Sequence, residues 1–241
     1  MCPSLSNPGD KEADIHYGVE GFIEAYKEAL AYIIQLNIEG RYFPEYYTVL
    51  LLQRIMTPFG TGFVDLQSPS GAGISGAIYD WNGDVFPADE ARMLARMGDR
   101  KFFMGNVLED SYVKIFAGKT IRDIVRSSCV ETMPLCATCP LSIYCGADPV
   151  RNYLDRKDLI GHRPSSDFCK KNRAIIMHLF SLLETNDERI VDVFWSWITR
   201  HPDMLDAPAK SHAVLPVNGG HWVHPGADAM NQRRTIDQKA A

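Results

Sequence analysis

Three cysteines lie close together in the stretch Cys136-Ala-Thr-Cys139-Pro-Leu-Ser-Ile-Tyr-Cys145, and a fourth, Cys169, follows after 23 intervening residues. Cysteine thiolates are soft ligands that suit zinc and iron–sulfur clusters. A short loop can direct the first three thiolates at one centre, which Cys169 would complete. The pattern therefore predicts that these four residues (the cysteine quartet) are the ligands of one metal centre.

Two kinds of centre fit this spacing. Structural zinc usually takes its ligands as two short-spaced pairs, whereas the order C-x2-C-x5-C-x23-C contains only one such pair. A cubane iron–sulfur cluster is larger, and its four iron corners favour ligands spread along a looped segment with one remote ligand. The spacing favours a 4Fe-4S cluster, and zinc stays open as the alternative.

The composition is that of a globular protein without a broad basic surface. Of the 241 residues 46% are apolar, and 25 Lys and Arg stand against 30 Asp and Glu, which gives a net charge of -5. We therefore expect neither nucleic acid nor an anionic membrane as a partner. No apolar run approaches the ~18 residues of a membrane-spanning helix, and the N-terminus lacks the pattern of a secretory signal. A cytoplasmic location is expected, where cysteines bind metals more often than they form disulfides.

Helical periodicity dominates the rest of the chain. Apolar residues that recur every three to four positions predict helices over about residues 18–37, 44–56, 89–97, 112–116, 120–127, 166–183 and 187–199. Residues 63–66 predict a short strand, and Asn82-Gly83 predicts a hairpin over residues 77–87 with a type I′ turn. Thr120 is the expected N-cap of the fifth helix. The predicted fold class is α+β, mostly helical, with a small antiparallel β-hairpin unit and a cysteine-rich cluster loop.

The cysteine pattern resembles the C-terminal SPASM region of radical S-adenosylmethionine (AdoMet) enzymes, which mature peptides and proteins. That family's cluster loop and hairpin are similar to two segments of this chain, Leu135-Cys-Ala-Thr-Cys-Pro-Leu-Ser-Ile-Tyr-Cys-Gly146 and Tyr79-Asp-Trp-Asn-Gly-Asp-Val-Phe-Pro87. More narrowly, residues 81–93 and 144–153 resemble the maturase of His-Xaa-Ser peptide systems (HxsB type). The resemblance covers about residues 14–200.

The resemblance implies one auxiliary 4Fe-4S cluster, held by the cysteine quartet with no open iron, which suits electron relay or structural bracing. A second auxiliary cluster is not implied, because Ala88 and Pro149 stand where that family has further cysteine ligands. The family cleaves AdoMet at a C-x3-C-x2-C motif, but the one cysteine between Met1 and Ser128 is Cys2. We therefore expect this chain by itself to be incomplete for AdoMet cleavage.

The same resemblance implies a division of the chain into three segments and a biochemical function. Residues 1–60 would be the helical end of a radical AdoMet barrel, residues 61–200 a SPASM-like iron–sulfur domain, and residues 201–241 a flexible tail. The chain would act in an enzyme that modifies a ribosomally made precursor peptide or protein. AdoMet would be a cofactor only where the missing barrel is supplied, by a separate radical AdoMet barrel or a second maturase. The alternative is a non-enzymatic module whose four-cysteine zinc site supports binding of a peptide or protein partner.

Individual residues near these motifs carry further expectations. In sulfatase-maturing relatives an aspartate follows the cysteine that Ala88 replaces in this chain. That aspartate accepts a proton from the substrate, and Asp89 occupies its position here. Asp89 is therefore the candidate catalytic residue, although a carboxylate is also common at the start of a helix. Cys129 is expected to be a free thiol. Asp148 and Arg151 are expected to form an ion pair that braces the loop.

Overall fold

The computed structural model describes residues 18–202, and these have the predicted α+β fold with mostly helical structure. The helices are α1 Val19–Ile38, α2 Tyr46–Met56, α3 Asp89–Arg96, α4 Tyr112–Phe116, α5 Lys119–Ser128, α6 Pro149–Arg156, α7 Asp167–Glu184 and α8 Glu188–Thr199. The strands are β1 Ile78–Tyr79, β2 Asp84–Phe86 and β3 Gly105–Asn106. All seven predicted helices are present, and α6 and β3 were not predicted.

The largest apolar core lies among four helices. Leu30 of α1, Leu51 of α2, Ile176 of α7 and Trp197 of α8 are each at most 1% exposed and belong to one packed cluster. The indole Nε1 of Trp197 donates a hydrogen bond of 3.0 Å to Oδ1 of the buried Asn37. This bond satisfies two buried polar groups at once. It also fixes α8, the last helix of the described residues, against α1, the first.

The small sheet is antiparallel with strand order β1-β2-β3. In the turn between β1 and β2, Gly83 N donates to the Asp80 carbonyl at 3.0 Å, which makes Trp81 and Asn82 the central turn residues. Gly83 has a φ of 87°, whereas Asn82 keeps a negative φ. The hairpin prediction is confirmed, but the type I′ turn is wrong, because that turn needs positive φ at both central residues.

Two other local predictions are also corrected. Residues 63–66 do not form a strand, since Val64–Leu66 is a 3-10 turn that buries Leu66 completely. Thr120 is not an N-cap, because helix α5 begins at Lys119 after Gly118 and the Thr120 hydroxyl donates to the Phe103 carbonyl at 2.9 Å. In both cases a contact with a distant segment replaces the structure that local sequence favours.

The described residues, 18–202, all belong to one structural unit. The predicted division at residue 60 stays a prediction, and the predicted flexible tail at 201–241 lies almost wholly outside the described residues. Within 18–202, none of the helices combines the length and the hydropathy needed to span a membrane.

Candidate metal centre

The first three members of the cysteine quartet lie on a chain of tight turns between α5 and α6. Cys139 N donates to the Cys136 carbonyl at 3.0 Å, and Ser142 N donates to the Cys139 carbonyl at 3.1 Å. A 3-10 turn, Ser142–Tyr144, then leads directly into Cys145. These turns fold the short segment on itself, so that its three thiols face a common region.

The fourth member arrives on a helix. Cys169 lies in the first turn of α7, as predicted, and its backbone N donates to the side chain of the N-cap Ser166 at 3.4 Å. Phe168 beside it is 5% exposed, and α7 runs on into the four-helix core. The position of Cys169 is therefore set by a long buried helix rather than by the loop that carries its partners.

Cys136 and Cys169 lie close enough to the other members of the quartet to be affected by their charge. Burial raises the pKa of Cys136 above its usual value, and the charges of the Cys145 and Cys139 thiols add to this rise. Burial likewise raises the pKa of Cys169, again helped by the other three members. All four are free and partly buried. The structure thus brings the predicted quartet into one region.

Among residues 18–202, no three side chains of His, Cys, Asp or Glu type are gathered tightly enough to hold a single metal ion.

Two guanidinium groups approach the quartet from opposite segments. Arg163 is 6% exposed, and its charge opposes the rise in the pKa of both Cys136 and Cys169. Arg54 of α2 donates to the carbonyls of Leu66 and Ile143, which ties α2 to the cysteine loop. Sequence patterns had singled out neither arginine, because each is placed by tertiary contacts.

An amide contacts the quartet as well. Asn172 is fully buried on α7 and directs its Nδ2 at the Cys145 sulfur over 3.7 Å. Its Oδ1 accepts a hydrogen bond of 2.6 Å from the Tyr47 hydroxyl, which fixes the orientation of the amide. Asn172 lies three residues after Cys169, so helical spacing could have indicated that it shares that face.

A pair of carboxylates lies behind the cysteine loop. Burial raises the pKa of Asp148 to about 7, and the negative charge of Asp65 contributes to the rise. Burial also raises the pKa of Asp65. Asp148 does not form the predicted ion pair, because its Oδ1 accepts a hydrogen bond of 3.0 Å from the backbone N of Arg151 as the N-cap of α6.

The remaining candidate residues lie outside this group. Asp89 begins α3, is exposed, and pairs with Arg92 at 2.7 Å, which is the ordinary role of an acid at a helix start. Its catalytic role stays a prediction. Cys129 is free, and its sulfur lies 3.3 Å from the Val125 carbonyl at the end of α5.

Comparisons with protein-family models and with curated protein sequences find no match. Among solved structures, the chain is similar to a histidine-tagged anSMEcpe with bound AdoMet, an anaerobic sulfatase-maturating enzyme, with 14% sequence identity and a TM-score of 0.58. The match covers 83% of this chain and 48% of that chain, so this chain spans about half the length of that neighbour. The likeness shows that the two chains share a fold over the aligned residues.

Proposed function

We propose that the cysteine quartet holds one 4Fe-4S cluster and that the chain is the auxiliary-cluster portion of a SPASM-type radical AdoMet enzyme. The enzyme would mature a ribosomally made peptide or protein in the cytoplasm. The observation that carries the proposal is the convergence of four free, partly buried thiols from the cysteine loop and α7. The fold that the chain shares with the anaerobic sulfatase-maturating enzyme supports it.

The surroundings of the thiols suit a cluster. In a cubane each thiolate binds a different iron, so the four sulfurs lie farther apart than around one ion. The Asn172 amide and the positive charges of Arg54 and Arg163 all favour anionic sulfur in this region. A 4Fe-4S cluster with four thiolate ligands supplies one-electron transfer and offers no free iron to a substrate.

The residues around the quartet would hold it in place and limit the access of water. Cys145 packs against the four-helix core, and Cys136 packs against a separate cluster formed by Val130, Met133 and Ala147. The Tyr47 hydroxyl orients Asn172, whose N–H is directed at Cys145. Partners in this second layer fix the geometry of the ligands and tune the bound group.

The finer assignment concerns the substrate. We assign the chain to maturases of the His-Xaa-Ser type, and we assign the seating of the precursor peptide to the β1–β2 hairpin. Trp81 at the turn of this hairpin is 89% exposed, and Tyr79 on β1 is 57% exposed. Exposed aromatic side chains are common anchors for a peptide because they offer a large contact area at low entropic cost.

Cleavage of AdoMet would need a further cluster site. Residues 1–241 contain no C-x3-C-x2-C motif, so that site would come from residues beyond these, and a separate radical AdoMet barrel or a second maturase is a candidate source. We expect the reconstituted chain, incubated anaerobically with AdoMet and dithionite, to form no 5′-deoxyadenosine above a protein-free blank. Formation of this product at a rate that depends on the chain would contradict the proposal that it is an auxiliary portion.

The cluster role is tested by electron paramagnetic resonance after anaerobic reconstitution and reduction with dithionite. We expect a signal from a reduced 4Fe-4S cluster in wild type and in Cys129→Ala, and its loss in Cys139→Ala. Cys129→Ala is the control because it removes a nearby thiol that lies outside the quartet. Stoichiometric zinc without this signal would instead favour the non-enzymatic zinc module that binds a peptide or protein.

A further inference from the structure

Among the residues that the structure describes, Arg163 is a buried cation without a carboxylate partner. The residue is 6% exposed, its Nη2 contacts the Met133 sulfur at 3.5 Å, and its buried Nε has no hydrogen-bond partner among the described residues. Within residues 18–202, Arg163 forms no ion pair with a carboxylate. An uncompensated buried charge costs several kcal/mol, so an arginine here needs an explanation.

The thiols of Cys136 and Cys169 lie in the surroundings of this charge. Met133, whose sulfur Arg163 contacts, belongs to the small apolar cluster against which Cys136 packs. Arg163 begins a 3-10 turn, Arg163–Ser165, that contacts α7, and α7 carries Cys169 in its first turn. Neutral thiols would leave the guanidinium uncompensated. A metal centre bound by four thiolates carries net negative charge and would compensate it.

We propose that Arg163 is a positioning residue of the cluster site, whose buried positive charge retains the bound cluster and raises its reduction potential. The inference rests on the proposed function, since it requires that the quartet hold a 4Fe-4S cluster. Reduction adds one electron and makes the cluster more negative. A fixed positive charge beside the cluster therefore stabilises the reduced form more than the oxidised form.

A packing role for the same side chain makes a different prediction. If Arg163 served mainly to fill space, its replacement would destabilise the metal-free protein. If it serves the cluster, Arg163→Met should leave the metal-free protein at least as stable, because an unpaired buried charge is exchanged for an apolar side chain of similar length beside Met133. Urea unfolding of the metal-free variants separates these two roles.

The experiment compares wild type, Arg163→Met, Arg163→Lys and Arg173→Met after anaerobic reconstitution. Arg173→Met is the matched control, because Arg173 is exposed and lies one helical turn beyond Cys169. The measurements are the midpoint potential from a redox titration and the rate at which a chelator removes iron. For Arg163→Met we expect the reduction equilibrium to move about tenfold toward the oxidised form, which is about 59 mV for one electron, and we expect several-fold faster iron loss.

The control variant should match wild type in both measurements, and Arg163→Lys should restore the potential because it keeps the charge. Failure of Arg163→Met to take up a cluster, with uptake restored by Arg163→Lys, would support the inference equally. A potential and a rate of iron loss in Arg163→Met equal to those of Arg173→Met would overturn it while leaving the proposed function standing. Failure of wild type to bind a cluster would overturn both.

Discussion

At the scale of single residues, the cysteine loop depends on a close backbone approach at Gly146. A Cβ at this position would overlap the Asp65 carbonyl oxygen and lie 2.9 Å from Gln67 N. These are backbone atoms, which cannot move aside as a flexible side chain can. The glycine therefore lets the segment that follows Cys145 pack directly against the Val64–Leu66 turn.

We expect Gly146→Ala to destabilise the protein by about 1–3 kcal/mol, because added volume must displace packed backbone. The matched control is Gly21→Ala in α1, where a Cβ meets nothing within 4 Å and should stabilise the helix by about 0.5–1 kcal/mol. Urea unfolding of both variants measures the two effects. Equal stability of Gly146→Ala and wild type would contradict the close approach.

Asp148 should make stability depend on pH. Burial raises its pKa to about 7, above the ~3.9 of an unfolded chain. Between these values the folded state binds the proton more tightly, so the free energy of unfolding falls as the pH rises toward 7 and then levels off. Asp148→Asn keeps an N-cap acceptor and should flatten this slope.

The measurement is the urea unfolding of cluster-loaded protein between pH 5.5 and 8. Asp187→Asn is the control, because Asp187 also caps a helix but its pKa is lowered by Arg189. That carboxylate stays ionised in both states across this range, so the control should keep the wild-type slope. An unchanged slope in Asp148→Asn would contradict the assignment of the titration to Asp148.

At the scale of elements, the loop that carries three of the proposed ligands has little hydrophobic support of its own. The apolar cluster around Cys136 has only Val130, Met133 and Ala147 as buried members. Binding of a metal centre and folding of such a loop are coupled, because the ligands are gathered only when the centre is present. Order in this segment should therefore depend on the bound group.

We expect trypsin to cut metal-free protein within residues 129–170 much faster than cluster-loaded protein. Arg151, Arg156 and Lys157 lie in this segment and are available as cleavage sites. Sites in α7 and α8 beyond residue 170 provide the internal control, since those helices belong to the large core in either form. Equal rates of cleavage at residues 129–170 in the two forms would exclude the coupling.

Most of the helices, but not all of the strands, could be predicted from the sequence. The seven predicted helices have periodic apolar faces, which are a local signal, and their bounds agree closely with the structure. The strand β3 has two residues and pairs with β2 through tertiary placement, so it carries no periodic signal. Residues 63–66 are strand-like in composition, but contact with Gly71 and with Arg54 turns them into a 3-10 segment.

The candidate site likewise contains residues that the sequence indicates and residues that it does not. The cysteine quartet was evident from residue type and spacing, since few other roles need four such thiols. Arg163 and Arg54 were not, because an isolated arginine in a loop or on a helix is usually a solvated surface residue. Their relation to the quartet exists only in the folded chain.

At the scale of the whole molecule, the members of the quartet lie on segments that pack against different apolar clusters. Cys145 packs on the four-helix core, Cys136 packs on the small cluster beside α5, and Cys169 lies in the first turn of α7. A centre bound by all four would therefore crosslink the helical core and the loop. This arrangement would explain why one proposed ligand is separated from the others by 23 intervening residues.

The most direct test of the account is an anaerobic analysis of iron, acid-labile sulfide and zinc per chain, after reconstitution of wild type, Cys139→Ala and Cys129→Ala. We expect about four irons and four sulfides, with a broad visible absorption band, in wild type and Cys129→Ala. Cys139→Ala should lose most of the iron, the sulfide and the band. About one zinc per chain with no bound iron or sulfide in wild type would contradict the cluster and favour the zinc module.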